Sequence, residues 1–147
     1  MTIIEVIKNK KQFLSLLLLA DEQENMIDRY LERGTMYVLN DNGVKAECVV
    51  TDECNGILEI KNIATVPEYQ GKGYAKALID FIVKEYADKY SVLQVGTGDS
   101  PLTVPFYEKC GFVRSHIIPN FFTDNYDHPI YESGIQLVDM VYLQRPL

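Results

Sequence analysis

The clearest periodic pattern in the chain is an amphipathic segment near its centre. Apolar side chains recur there every three or four residues, at Ala75, Leu78, Ile79, Ile82, Val83, Tyr86, Ala87 and Tyr90. Charged side chains occupy the other side, at Lys76, Asp80, Lys84, Asp88 and Lys89. Because this spacing places the apolar residues along one stripe of a helix, it predicts a helix that packs one face on a core.

Apolar runs separated by turn signals predict the remaining elements. Strands are predicted at residues 2–7, 35–39, 44–51, 57–66, 92–96, 112–118 and 135–143, and further helices at 9–20, 22–33 and 102–109. Asn40-Asp41-Asn42-Gly43 is typical of a tight hairpin turn. Residues 119–134 form an aromatic and acidic loop in this prediction. With no linker or change of composition, residues 1–147 are expected to form one α/β domain.

Charge and composition narrow the class of protein. The net charge is −7, without a cluster of Lys and Arg, which argues against a nucleic-acid-binding surface. Cys48, Cys54 and Cys110 are odd in number and widely spaced, which favours a reducing, cytoplasmic compartment. The two histidines, His116 and His128, are too scattered to predict a metal site.

The apolar run from Phe13 to Ala20 follows three lysines and is similar to part of a signal peptide. A strand-like segment precedes it, however, and Asp21-Glu22 closes it without a cleavage site. The run is also too short to span a bilayer. It therefore predicts a buried helix and no membrane association.

A candidate anion site lies where the strand 57–66 gives way to the amphipathic helix. The connection contains Gln70-Gly71-Lys72-Gly73-Tyr74-Ala75. The first N–H groups of a helix lack internal partners and carry partial positive charge, and glycines allow close approach of a phosphate. The connection lacks the leading glycine and the hydroxyl residue of a P-loop, and Lys76 stands where a dinucleotide fingerprint needs its third glycine. On the residues alone, a tight helix start without a ligand is an equal alternative.

Two motifs together resemble the GNAT superfamily of N-acetyltransferases. Residues 70–75 match its Q/R-x-x-G-x-G/A signature, and Phe106-Tyr107-Glu108-Lys109-Cys110-Gly111-Phe112 resembles its F-Y-x-K-x-G-F segment. One predicted helix and one predicted strand lie between them, as in that family. The resemblance implies a mixed, mostly antiparallel sheet of about seven strands, splayed in the middle, with about four helices on both faces. It also implies acetyl-CoA as cosubstrate and no metal.

By the same resemblance, the diphosphate of CoA would lie on the main chain of the signature loop, at Gln70, Gly71, Lys72, Gly73, Tyr74 and Ala75. The pantetheine arm would pair with main-chain groups of the preceding strand, at Ala64, Thr65 and Val66, inside the splay. A backbone N–H near Ala64 or Thr65 would stabilise the oxyanion. Ser100 stands where many members have Asn and would contact the pantetheine.

Two side chains are predicted to be catalytic for direct attack of an amine on the thioester. Tyr107 falls at the tyrosine that serves as general acid in the family, and its alternative is a core tyrosine. Glu59 lies eleven residues before Gln70, where histone-type members have a general base. The alternative for Glu59 is a strand glutamate that pairs with Lys61 or faces solvent.

The predicted acceptor is the primary amine of a small molecule. A peptide or protein amine is the alternative within enzymes, and a non-catalytic acyl-CoA-binding regulatory module is the alternative outside them. Aromatic and acidic residues in the loop 119–134 suit a cationic amine. An ordinary crossover or a homodimer contact is the alternative for that loop.

Overall fold

Nine strands and five helices make up the chain, and the computed structural model describes all residues 1–147. The strands are β1 (Thr2–Val6), β2 (Thr35–Asn40), β3 (Val44–Asp52), β4 (Ile57–Thr65), β5 (Val92–Gly98), β6 (Val113–Ile118), β7 (Tyr131–Glu132), β8 (Ile135–Gln136) and β9 (Met140–Pro146). The helices are α1 (Leu14–Ala20), α2 (Glu24–Ile27), α3 (Tyr74–Tyr86), α4 (Val104–Lys109) and α5 (Phe121–Asn125). Short 3-10 helices cover Lys10–Phe13 and Pro67–Tyr69.

Seven of the strands form one mixed sheet in the order β1-β2-β3-β4-β5-β9-β6. Every neighbouring pair is antiparallel except β4 and β5, which run parallel. A parallel pair needs a crossover connection, and α3 supplies it. The predicted fold class, a mostly antiparallel mixed sheet of seven strands, is confirmed.

The sheet is covered on both faces. On one face, α3 buries Leu78, Ile79 and Ile82 in a cluster that also contains residues of α4. On the other, Leu17 of α1 and Ile27 of α2 pack in a second cluster. The apolar run before Asp21 thus forms helix α1, which is buried at Leu16 and Leu17. No helix in the protein is both long and apolar enough to cross a membrane.

Two stretches of the chain differ from the sequence prediction. Within the segment 22–33, which was predicted to be one helix, only Glu24–Ile27 is helical. The rest of the segment forms turns, because the Lys10 ammonium binds the carbonyls of Leu31 (2.9 Å) and Gly34 (2.7 Å). The strand predicted at 135–143 is also wrong in its bounds: β8 pairs with β7 in a separate hairpin, and β9 starts at Met140. The predicted loop 119–134 contains α5 and β7, which makes five helices rather than four.

One carboxylate is buried in the sheet without a partner. Glu47 of β3 is 0% exposed, lies opposite Ala64 of β4, and neither of its side-chain oxygens accepts a hydrogen bond. The side-chain oxygen of the neighbouring Asn62 also lacks a donor. Burial raises the pKa of Glu47 well above its usual range. An ionised carboxylate here therefore costs folding free energy.

Glu47→Gln is expected to stabilise the protein at pH 8 by about 1–3 kcal/mol, because the amide removes the unpaired charge and supplies donors. A raised pKa in the folded state means that stability is intact below pH 4.5 and is lost as the pH rises towards the folded pKa. The increase in the free energy of unfolding should therefore be smaller when thermal unfolding is measured at pH 5. Glu5→Gln, on the exposed side of β1, is the matched control. Equal gains at both pH values would contradict the expectation.

Candidate active site

The middle of the sheet is splayed between its two parallel strands. Residues Ile57–Ile60 of β4 pair with Val92–Val95 of β5, and the pairing then stops. Both strands continue, β4 to Thr65 and β5 to Gly98. A register shift against β3 leaves Lys61 as an extra residue in β4, and such a bulge bends the strand that carries it. The two strands therefore diverge into an opening, as the resemblance implied.

Main-chain groups of β4 face this opening. The Val66 N–H donates to the Lys45 carbonyl of the neighbouring chain segment at 2.8 Å. Because hydrogen-bonded and non-hydrogen-bonded pairs alternate along antiparallel strands, Ala64 also points to β3, whereas Ile63 and Thr65 point away from it. Of the three predicted main-chain positions, the structure turns only Thr65 towards the opening, and it adds Ile63. The register that decides this is not visible in the sequence.

The signature loop ends in two left-handed glycines. Gly71 has φ +79 and Gly73 has φ +88, and a Cβ added to either would meet nothing within 4 Å. Gly73 is the residue before α3, whose 13 residues begin with Tyr74 and Ala75. Their N–H groups have no partner inside the helix. The cradle is open towards solvent and fits an anion that approaches along the helix axis.

Cations flank the same turn. The ring of Tyr69 lies under the ammonium groups of Lys45 and Lys72, at 3.9 and 5.4 Å from the ring centre. Gln70 donates to the carbonyl of Thr65 at 3.4 Å and so ties the loop to the end of β4. The predicted loop residues are thus brought together beside the splay, with positive charge next to the free N–H groups.

A cavity of about 350 Å³ occupies the opening and the space below α1. The end of α1, the diverging parts of β4 and β5, α4 and the segment 122–140 line it. Tyr107 of α4 is one of the lining residues, is 7% exposed, and has a hydroxyl that no protein group binds. Burial raises its pKa far above the usual range, so the hydroxyl stays protonated.

Glu59 lies near the cavity but does not line it. Its carboxylate pairs with Lys61 at 2.9 Å and accepts hydrogen bonds from Gln94 at 2.5 Å and Tyr142 at 3.4 Å. The residue is 4% exposed. This arrangement favours the ion-pair interpretation of Glu59 over the catalytic one.

Ser100 is also buried, at the turn before α4. Its hydroxyl oxygen accepts a hydrogen bond from the Leu102 N–H at 3.1 Å, and its carbonyl binds the N–H groups of Thr103 and Val104. These bonds hold the start of α4, which positions Tyr107. The side chain does not line the cavity, and its contact with the pantetheine arm stays a prediction.

Acidic and aromatic groups from two distant parts of the chain meet at the cavity. Asp21 follows α1 and was not singled out by the sequence, whereas Glu132 and Tyr126 belong to the loop 119–134 that was expected to suit a cationic amine. Asp124 and Asp127 of that loop do not line the cavity. No local pattern links residues this far apart in sequence. No cluster of three or more His, Cys, Asp or Glu side chains is arranged to bind a metal ion.

Known proteins are similar to this chain in both sequence and fold. The profile of the acetyltransferase (GNAT) domain matches residues 32–114. The N-acetyltransferase YvbK of Bacillus subtilis (strain 168) is 37% identical over 135 residues, which cover 90% of this chain and 87% of that protein. A GNAT family acetyltransferase from Elizabethkingia anophelis with acetyl-CoA bound has a TM-score of 0.93 at 35% identity, over 99% of this chain and 97% of that one. A Bacillus subtilis acetyltransferase in complex with CoA has a TM-score of 0.89 at 35% identity, with the same coverage. This chain therefore belongs to the GNAT family of acetyltransferases.

Proposed function

We propose that the protein transfers an acetyl group from acetyl-CoA to the primary amine of a small molecule. The observation that carries the proposal is the unbound, buried hydroxyl of Tyr107 in a cavity between two splayed strands. Two solved relatives at 35% identity contain acetyl-CoA or CoA, which supports the choice of cosubstrate. The cavity of about 350 Å³ suits a small acceptor better than a peptide, which needs a long open groove.

The residues of the chain fit acetyl-CoA at two places. The open turn at Gly71 and Gly73 and the first N–H groups of α3 would hold the diphosphate, with Lys72 beside it. The main chain of Thr65 would pair with the pantetheine amides. When bound, acetyl-CoA supplies an activated acyl group.

Tyr107 is proposed as the general acid. Its hydroxyl has no partner in the protein and stays protonated because burial raises its pKa. It can therefore deliver a proton to a thiolate that leaves. The Ile63 N–H faces the splay where Ile63 lines the cavity, and it is the proposed donor for negative charge on the carbonyl oxygen, while Thr65 pairs with the pantetheine arm.

The remaining assignments stay predictions. Glu59 as general base depends on the resemblance, since its carboxylate is engaged with Lys61. A cytoplasmic location is favoured by free thiols at Cys48, Cys54 and Cys110. A homodimer also stays a prediction.

The experiment for this proposal has two arms. Titration calorimetry with CoA should show one binding site per chain, and acetyl-CoA with a panel of small primary amines should release free thiol. Peptides with a free lysine or N-terminus are the comparison acceptors. Binding of CoA without thiol release from any acceptor would contradict catalysis, and faster release with peptides would contradict the small-molecule assignment.

A further inference from the structure

The charged side chains that line the cavity are Asp21, Glu22, Lys61 and Glu132. Two of them are paired: the Lys61 ammonium binds Glu59 at 2.9 Å, and the Glu22 carboxylate binds His128 at 3.0 Å. Asp21 and Glu132 form no ion pair with any cation of the protein. The cavity thus presents two carboxylates that no cation of the protein contacts, although the charge of Arg29 acts on Asp21 from a distance and opposes the burial that raises its pKa.

Asp21 is held firmly but only by neutral donors. Its two oxygens accept hydrogen bonds from the hydroxyls of Tyr126 at 2.6 Å and Tyr30 at 3.0 Å. Asn62 of β4 donates to the Tyr30 hydroxyl at 3.0 Å and so fixes that ring. Burial raises the pKa of Asp21, and the hydrogen bonds oppose this shift. A cation bound in the cavity would compensate the charge that the protein leaves unpaired.

Glu132 is the second unpaired carboxylate of the cavity. It belongs to the short strand β7 and lines the same cavity as Tyr107. Burial raises the pKa of Glu132. Asp21 is held by Tyr30, which belongs to the core cluster on the opposite face of the sheet from the cluster that contains Tyr107. Glu132 is therefore the carboxylate assigned to the reacting end.

The wall between these carboxylates is apolar and aromatic. It is formed by the side chains of Ile60, Ile63, Phe122, Tyr126, Ile130 and Leu137. Such a surface buries methylene groups, and the ring faces favour ammonium groups over neutral ends. The cavity is therefore complementary to an alkyl chain with positive charge at both ends.

We propose that the acceptor is a primary amine that carries a second cationic group, as an alkyl diamine does, with Asp21 binding that second group and Glu132 facing the reacting amine. This inference rests on the proposed acetyltransferase function and adds the class of acceptor. Tyr107, which is nine-tenths buried with an unbound hydroxyl in the same cavity, marks the end at which the reacting amine lies.

The test compares 1,n-diaminoalkanes with n-alkylamines of equal length by thiol release from acetyl-CoA. The expected kcat/KM is about 10- to 100-fold higher for the best diamine, the amount that one charged hydrogen bond supplies. Equal kcat/KM for a diamine and its matched monoamine would overturn the inference and leave the proposed function standing. No thiol release with any amine would instead overturn the proposed function.

Variants separate charge from structure. Asp21→Asn should lower the diamine-to-monoamine ratio of kcat/KM by about tenfold, which is the loss of one ion pair in a partly buried site. Asp124→Asn is the matched control, because it removes an acidic charge outside the cavity, and it should keep the ratio. Glu132→Gln is the second test: because Glu132 faces the reacting amine of both substrates, this variant should lower kcat/KM for the diamine and the monoamine alike and keep their ratio. A ratio unchanged in Asp21→Asn, or a ratio that falls in Glu132→Gln, would overturn the assignment.

Discussion

Tyr107→Phe is expected to lower kcat by about 100- to 1,000-fold, within the range that general acid catalysis contributes. The substitution removes one hydroxyl and keeps the ring that packs against Phe106 and Phe112. That hydroxyl binds no protein group, so its loss leaves no unsatisfied partner in the fold. The Kd for CoA should stay within about twofold, because the diphosphate turn is separate from α4.

Tyr37→Phe is the matched control for this variant. Tyr37 is also 7% exposed, but its hydroxyl binds Tyr86 at 2.7 Å and the residue does not line the cavity. The Tyr37→Phe variant should therefore be less stable than the unsubstituted protein and have the same kcat. Steady-state thiol release, calorimetry with CoA and thermal melts of the two variants make the comparison. Equal kcat in Tyr107→Phe and Tyr37→Phe would show that Tyr107 is a core residue.

The sequence predicts well those elements that are determined by residues close together in the chain. The stripe of α3 and the hairpin turn at 40–43 depend on spacing within a few residues, and both are present. The helix predicted at 22–33 depends on a distant group instead. Lys10 binds carbonyls 21 and 24 residues away, and no periodicity in the segment reports that contact. Tertiary hydrogen bonds therefore overrode a plausible helical pattern.

The same division applies to the site. Tyr107 and the glycine turn lie in short motifs, and the structure places them at the splay. Asp21 is 105 residues from Tyr126, its hydrogen-bond partner, so the wall of the acceptor cavity is assembled only by the fold. Motifs accordingly predict where the cosubstrate fits, whereas the acceptor has to be inferred from the three-dimensional arrangement of charge.

Gly73→Ala is expected to weaken CoA binding by about 10- to 100-fold, because a diphosphate on this turn depends on charge-assisted hydrogen bonds from the main chain. Gly73 has φ +88, and its Cβ would project into open space rather than into the protein. The methyl group would therefore meet a ligand before it met any side chain. Part of the effect is conformational, since Ala in the left-handed region costs about 1–2 kcal/mol.

Gly134→Ala isolates that conformational part. Gly134 has φ +75 and also has nothing within 4 Å of an added Cβ, but it lies in the turn between β7 and β8, away from the signature loop. The melting temperature should therefore fall by a similar amount in both variants. Only Gly73→Ala should lose affinity in calorimetry with CoA. If the two variants bound CoA equally well, the turn before α3 would be a tight helix start without a ligand, and the diphosphate would have to lie elsewhere.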